Sequence, residues 1–173
     1  MTITISQKAH KELWQEAKEI TPLMTARDQS NQWDWICQYP PTLGQNVIAG
    51  YAYTDAKITE DQTYTPGNRL YNVPKNSFNL WMKYEIQSGS LKGLGFGLGL
   101  FYVGDRQGDL ENDFELPSYF RTNAAIFYKQ GQLRAQVNFR NLFDVDYFES
   151  ASNILRVYPG EPFTVQGTIS LEF

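Results

Sequence analysis

One short segment of this sequence restricts the possible folds more than any other. From Gly93 to Tyr102, glycine fills every odd position up to Gly99, and the even positions carry large apolar residues: Leu94, Phe96, Leu98, Leu100 and Tyr102. A β-strand turns successive side chains to opposite faces, so this strand has one apolar face and one face without side chains. A packed soluble core needs side-chain volume on its inner positions. A bare inner face is tolerated next to a lumen or where a bulky group approaches closely.

The same period of two recurs elsewhere after residue 45. Alternating apolar and polar positions occupy residues 46–53, 77–86, 121–129, 133–140 and 163–173, with Trp81 as an apolar exception on a polar face. Short turns at 88–92 and 130–132 alternate with long polar segments near 59–73, 104–118 and 144–161. Short turns on one side and long loops on the other are typical of outer-membrane barrels. We therefore predict an all-β fold, an antiparallel up-and-down transmembrane β-barrel segment of about six strands that forms an incomplete, curved open sheet.

Aromatic residues make up 15% of the chain, and many of them end the apolar face of a predicted strand, as Tyr51, Tyr84, Tyr102 and Tyr128 do. Tyrosine suits positions that are dry at one end and wet at the other, as in the girdles of a membrane barrel. A soluble antiparallel sandwich also alternates, and soluble sugar-binding domains are also rich in aromatics. A soluble carbohydrate-binding β-domain is therefore the alternative from another class.

Composition argues against several kinds of function. The net charge of −4 and a pI near 5.0 leave no basic stripe for nucleic acid. Cys37 and His10 are each the only residue of their type, so we expect no disulfide framework, no cysteine or histidine metal site and no histidine-based catalytic triad. Asp144, Asp146 and Glu149 lack the twelve-residue calcium-loop pattern. We therefore predict no enzyme activity, no metal site and no cofactor.

Residues 1–45 do not follow the same pattern. Apolar residues recur at three- and four-residue steps as far as Ile20, and Pro22 ends that run, which predicts a short N-terminal helix with Ser6 as its cap. Residues 25–45 are polar, and we interpret them as a loop. No window holds eighteen consecutive apolar residues, which argues against a transmembrane helix, and the start of the chain lacks the pattern of a secretory signal peptide. We therefore divide the chain into a helix and loop at 1–45 and barrel strands at 46–173.

Six segments resemble, in order and spacing, motifs of the TonB-dependent siderophore receptors. They are residues 46–56 (N-x-x-A-x-Y-x-Y-T-D-A), 67–78 (G-x-x-L-x-N-V-P), 102–106 (Y-V-G-x-R), 116–124 (L-P-x-Y-x-x-x-D-A), 138–147 (N-x-x-N-L-F-D-x-x-Y) and 158–163 (Y-P-G-x-P-R). Asn123 replaces the usual acid in the fourth motif, and Phe163 replaces the arginine of the sixth. The ferrichrome and hydroxamate branch is the most similar in style. The resemblance covers the chain from Leu43 to its end.

The resemblance implies a receptor that takes up ferric siderophore across the outer membrane of a Gram-negative-type bacterium, with energy delivered through TonB. Members of the family have about 22 strands around a plug. We therefore expect this chain to be a truncated copy, and the alternative within this class is an inactive remnant without transport. The implied partners are outer-membrane lipid and the barrel-assembly machinery, with siderophore and TonB as partners of an intact receptor only. Ferric siderophore is then a transported ligand.

The resemblance also implies two sets of candidate residues. Aromatic and arginine side chains of the outer mouth hold siderophore in the family, which in this chain indicates Tyr64, Arg69, Tyr71, Tyr119, Phe120 and Arg121. The alternating residues before the C-terminus resemble the insertion signal of outer-membrane proteins, namely Phe163, Val165, Ile169, Leu171 and Phe173.

Overall fold

The computed structural model describes the backbone of residues 28–42 and 44–171 and the side chains of residues 44–171. This part of the chain consists of strands joined by turns and loops. The strands are β1 (Asp28–Thr42), β2 (Gln45–Ile58), β3 (Asn76–Glu85), β4 (Leu94–Val103), β5 (Arg106–Gln107), β6 (Glu115–Leu116), β7 (Tyr119–Gln130), β8 (Leu133–Arg140), β9 (Phe148–Asn153), β10 (Arg156–Pro159) and β11 (Thr164–Leu171). Among these residues no helix is long and apolar enough to cross a membrane.

Seven of these strands form one antiparallel sheet in the order β1-β2-β3-β4-β7-β8-β11. Each of the six alternating segments of the sequence supplies one strand of this sheet. The backbone pairing places the apolar residues of these strands on a common face. No pairing joins β1 to β11 among the described strands, so the sheet is open. The predicted fold class is confirmed. The two remaining pairs, β5 with β6 and β9 with β10, are small hairpins within the long loops.

Strand β1 corrects one expectation. The loop predicted for residues 25–45 is wrong for most of that range, because Asp28–Thr42 pair with β2, from Asp28 opposite Ile58 to Thr42 opposite Gln45. Trp33, Trp35, Cys37 and Tyr39 do alternate with other residues, and the pattern is hidden by polar neighbours and by Pro40-Pro41. Those prolines lie where the β1–β2 register shifts, a position that suits a residue without a backbone donor. The helix expected between Ser6 and Ile20 lies outside the described residues, and the domain boundary at residue 45 stays a prediction.

The register from β2 to β11 is continuous and aligns side chains in rows across the sheet. We call the face that carries Phe96 and Leu98 the outer face, and the opposite face, which carries the glycines, the inner face. One row of the outer face consists of Tyr51, Phe78, Tyr102 and Phe120, and another consists of Tyr84, Phe96, Ile126 and Val137.

The outer face is exposed although it is apolar. Phe96 is 47% exposed and Ile126 is 43% exposed, and Ile169 of β11 reaches 78%. The row that contains Tyr102 lies toward one end of the face, and the row that contains Tyr84 lies toward the other. Exposed apolar surface that is bordered by aromatic rings is typical of a surface that contacts lipid.

The inner face explains both the glycines and the exceptional Trp81. A Cβ built on Gly97 would lie 2.8 Å from Trp81 Cζ2, and one on Gly99 would lie 2.6 Å from Trp81 Cε3. A Cβ on Gly95 would lie 2.1 Å from Phe127 Cζ, and the Lys83 ammonium lies 4.2 Å from the Phe127 ring centroid. The Trp81 and Phe127 rings therefore occupy the space above these glycines, and a side chain at Gly95, Gly97 or Gly99 would displace them.

Most of the buried apolar side chains lie toward the end of the sheet that carries the long loops, which we call the loop end. They are Ala56, Ile58, Leu116, Tyr147 and Ala151, while Ala125 and Phe127 lie on the inner face. The small core of the described chain therefore joins loops to strand ends, and the middle of the outer face contributes little to it.

Candidate functional site at the loop end

Asparagine side chains connect the three long loops. The Asn112 side chain accepts from Arg69 N (2.8 Å) and donates to Arg69 O (2.9 Å), which joins the β4–β7 loop to the β2–β3 loop. The Asn72 side chain accepts from Ala151 N (2.8 Å) and donates to Ala151 O (2.7 Å), which joins the β2–β3 loop to β9. Each side-chain amide thus bonds both backbone groups of one residue, as a neighbouring strand would. Both asparagines have positive φ, 62° and 59°, in the region that asparagine tolerates better than most residues.

Arg106 lies at the centre of this assembly, at the start of β5. It is 2% exposed, and its Nη2 donates to the carbonyls of Phe148 and Glu149 on β9. Its guanidinium carbon lies 5.5 Å from the Tyr119 ring centroid. Burial lowers the pKa of the Arg106 guanidinium from its ordinary value, and the nearby Tyr119 opposes this shift.

Aromatic rings and a second arginine continue from Tyr119 along the inner face. The rings of Tyr119 and Tyr147 lie 4.3 Å apart, and Arg121 Nη1 donates to Tyr147 Oη at 3.1 Å. The Arg121 guanidinium also lies 5.1 Å from the Phe101 ring. Cation–π attraction of this kind holds the Arg121 guanidinium near the Phe101 and Tyr147 rings.

Asn141 holds the turn that follows β8. It is 1% exposed at a φ of 48°, and its backbone N donates to Asn123 Oδ1 at 3.0 Å. Its side chain donates to the carbonyls of Val145 and Glu161 and accepts from Val145 N. Asn123, which replaces the acid of the family motif, therefore still supplies the acceptor that the turn uses.

The structure brings only two of the six sequence-predicted ligand residues together. Tyr119 and Arg121 share the inner face and meet at Tyr147. Phe120 lies between them in sequence, points to the outer face and is 48% exposed. Its alignment with Tyr102 places it in the aromatic row of that face.

The other three candidates lie in the β2–β3 loop. Arg69 is partly exposed and lies 3.6 Å from Asp105, and Tyr71 forms a backbone bridge with Gln107. Tyr64 belongs to a turn in which its backbone N donates to the Asp61 carboxylate at 2.9 Å. Backbone donors of this turn hold the pKa of the Asp61 carboxyl below its ordinary value of 3.8. A ligand role for any of the six stays a prediction.

Sequence reasoning missed Arg106, Asn72 and Tyr147 as members of this site. Each lies in a segment that resembles a family motif, which was the available signal, but each has a hydrogen-bond partner in the site that is more than 25 residues away in sequence. The insertion-signal residues Phe163, Val165, Ile169 and Leu171 are exposed, and Phe173 lies outside the described residues. In the described part of the chain, no group of three or more His, Cys, Asp or Glu residues is placed to hold a metal ion.

Comparison with known proteins agrees with this architecture. Residues 19–142 match the family model described as TonB dependent receptor-like, beta-barrel. The chain is 39% identical over 129 residues to the metal-pseudopaline receptor CntO of Pseudomonas aeruginosa (strain UCBPP-PA14), an alignment that covers 73% of this chain and 18% of that protein. It is 35% identical over 133 residues to the ferrichrome outer membrane transporter/phage receptor of Escherichia coli (strain K12), with 74% and 18% covered.

A solved structure shows the same arrangement of strands. The siderophore receptor PiuA from Acinetobacter baumannii superposes with a TM-score of 0.72 at 25% identity, covering 84% of this chain and 22% of that one. The chain thus spans about a fifth of the length of the relatives that it matches. The family resemblance of the sequence motifs is confirmed, and this chain belongs to the TonB-dependent receptor-like β-barrel family.

Proposed function

We propose that this chain forms part of an outer-membrane receptor that takes up a ferric siderophore with energy supplied through TonB. The observation that carries the proposal is the outer face, which is apolar and exposed and carries aromatic residues toward both ends. A soluble carbohydrate-binding domain would lose stability by exposing such a face to water. Lipid is the partner that this face fits.

The ligand would enter from the loop end. Tyr119 and Arg121 support this direction, because they present aromatic and cationic groups on the inner face. We propose these two as the leading ligand residues, with Arg69, Tyr64 and Tyr71 as contributors from the neighbouring loop. Phe120 lies on the lipid side and would anchor the strand instead. The relatives named above take different ligands, so we propose a metal–siderophore complex, with hydroxamates tested first, and no resident cofactor.

Partners follow from the same proposal. The barrel-assembly machinery would insert the strands, with Phe163, Val165, Ile169, Leu171 and Phe173 as the insertion signal at the C-terminus. TonB would act on the intact receptor. We place the protein in the outer membrane of a Gram-negative-type bacterium.

Fractionation and uptake in the native organism test this proposal together. The protein should stay in the outer-membrane fraction after carbonate extraction, and deletion of its gene should lower uptake of radiolabelled ferric iron from at least one siderophore class. Complementation with Arg121→Gln should restore membrane protein but about tenfold less uptake at low ligand concentration. Complementation with Arg156→Gln, which changes an exposed arginine of β10, should restore both.

Two outcomes would contradict the proposal. Protein that appears in the soluble fraction would refute the membrane location and favour a soluble β-domain. Protein that stays in the membrane while uptake of hydroxamate, catecholate and metallophore complexes is unchanged by deletion would refute transport. The inactive-remnant alternative predicts the second outcome.

A further inference from the structure

Arg106 is a buried charge without a carboxylate partner among the described residues. Its side chain makes hydrogen bonds through Nη2 alone, to the carbonyls of Phe148 and of Glu149, the latter at 3.0 Å. Its buried Nη1 meets no hydrogen-bond acceptor. A buried guanidinium is costly unless its contacts compensate for lost hydration. Arg106 has two charge-assisted hydrogen bonds and one aromatic face for this purpose, and all of them lie outside its own loop.

All of these contacts join Arg106 to neighbouring segments of the chain. The two carbonyls belong to β9, the first strand of the β9–β10 hairpin, and the ring belongs to Tyr119 at the start of β7. The second anchor of β9 is Asn72, which binds both backbone groups of Ala151. The hairpin is therefore attached to two different loops at points three residues or less apart, while its tip, at Ile154 and Leu155, is exposed.

We propose that Arg106 is a positioning residue that fixes the β9–β10 hairpin and the Tyr119 ring relative to one another, so that the three long loops move as a single unit. The planar fork of arginine suits this role because it stacks on a ring while it donates within its own plane. A lysine retains the charge and loses the fork. The inference concerns the geometry of the loops and does not depend on which ligand the protein takes.

Hydrogen exchange on the full chain in detergent micelles tests this inference. In Arg106→Gln, backbone amides of Phe148–Asn153 should exchange about thirtyfold faster or more, because two charge-assisted hydrogen bonds no longer oppose local opening. Arg106→Lys should show an intermediate acceleration. Amides of β2, β3 and β4 that exchange through local fluctuations should keep the rates of the parent protein, because none of the described contacts of Arg106 reaches those strands.

Arg156→Gln is the matched control. Arg156 lies on the same hairpin and is exposed, so its loss should leave exchange in β9 unchanged. Asn72→Gly keeps the positive-φ backbone and removes the second anchor, and it should accelerate the same amides even if Arg106→Gln does not fold.

Several results would overturn the inference. Unchanged β9 exchange in both Arg106 variants would show that the hairpin is held by other contacts. Equal acceleration across β2, β3 and β4 would make Arg106 a general stability residue. The same acceleration in Arg156→Gln, or full rescue by lysine, would remove the role of the guanidinium fork. These hydrogen-exchange results do not depend on siderophore uptake, so a failure of the uptake experiment would not change their interpretation.

Discussion

Replacing Leu98 with lysine tests the orientation of the whole sheet. Leu98 lies on the outer face, four residues from Leu94 and four from Tyr102, or about 13 Å along the strand from each. It is 37% exposed and belongs to the middle of the apolar band. A lysine at the midplane of a membrane barrel's lipid face costs about 2–4 kcal/mol. The ratio of folded to unfolded protein should therefore fall about 30- to 900-fold.

The matched control is Leu91→Lys. Leu91 lies in the short turn before β4, is 56% exposed and stands beyond the end of the strand, so the same substitution there should cost within about 0.5 kcal/mol. The assay is urea unfolding of the full chain refolded into phospholipid vesicles, followed by tryptophan fluorescence. Equal and small losses of unfolding free energy in the two variants would refute the reasoning, because lysine would cost little at either position if the outer face were in water.

Three further results should follow. Gly95→Ala should lower the melting temperature by the equivalent of about 1–3 kcal/mol, since its Cβ would lie 2.6 Å from the Tyr84 carbonyl, whereas Gly167→Ala, with nothing within 4 Å, should leave it unchanged or slightly raised. Asn141→Gly should cost about 2–4 kcal/mol in chemical unfolding, because the positive φ suits glycine but three side-chain hydrogen bonds are lost; a neutral result would show that only the backbone angle matters there. Because the folded-state pKa of Asp61 lies below 3.8, the turn it caps should be intact above about pH 4 and loosen as the pH falls through that lowered pKa; the amide shifts of residues 63 and 64 should report this, and the titration should vanish in Asp61→Asn.

The strands after residue 45 could be predicted because their signal is local. Alternation needs only two faces with different surroundings, and the glycine run from Gly93 to Gly99 required a special explanation for its bare face. Trp81 was an exception in the pattern and proved to be the cover for Gly97 and Gly99. Strand β1 was missed because few of its residues are aliphatic and because a Pro-Pro pair lies near its end, and both features are more typical of loops.

The candidate site could be predicted only where neighbours in sequence are neighbours in space. Tyr119 and Arg121 share a face because they are two residues apart on one strand. The partnership of Asn72 with Ala151 spans 79 positions, and that of Arg106 with Glu149 spans 43. Side-chain contacts to a distant backbone leave no periodic trace in a sequence. They became visible only when the register of the sheet brought the loops together.

The unbroken register between β2 and β11 has a consequence for how this protein tolerates insertions and deletions. No shift interrupts the pairing of these strands, so one extra residue within β4 would carry every later side chain of that strand to the wrong side. Phe96 and Leu98 would then exchange places with glycines, and apolar rings would enter the space of Trp81. Relatives should therefore vary in length at the hairpin turns and loop tips. Inside a strand, the smallest insertion or deletion should be two residues, because two residues keep each later side chain on its own face.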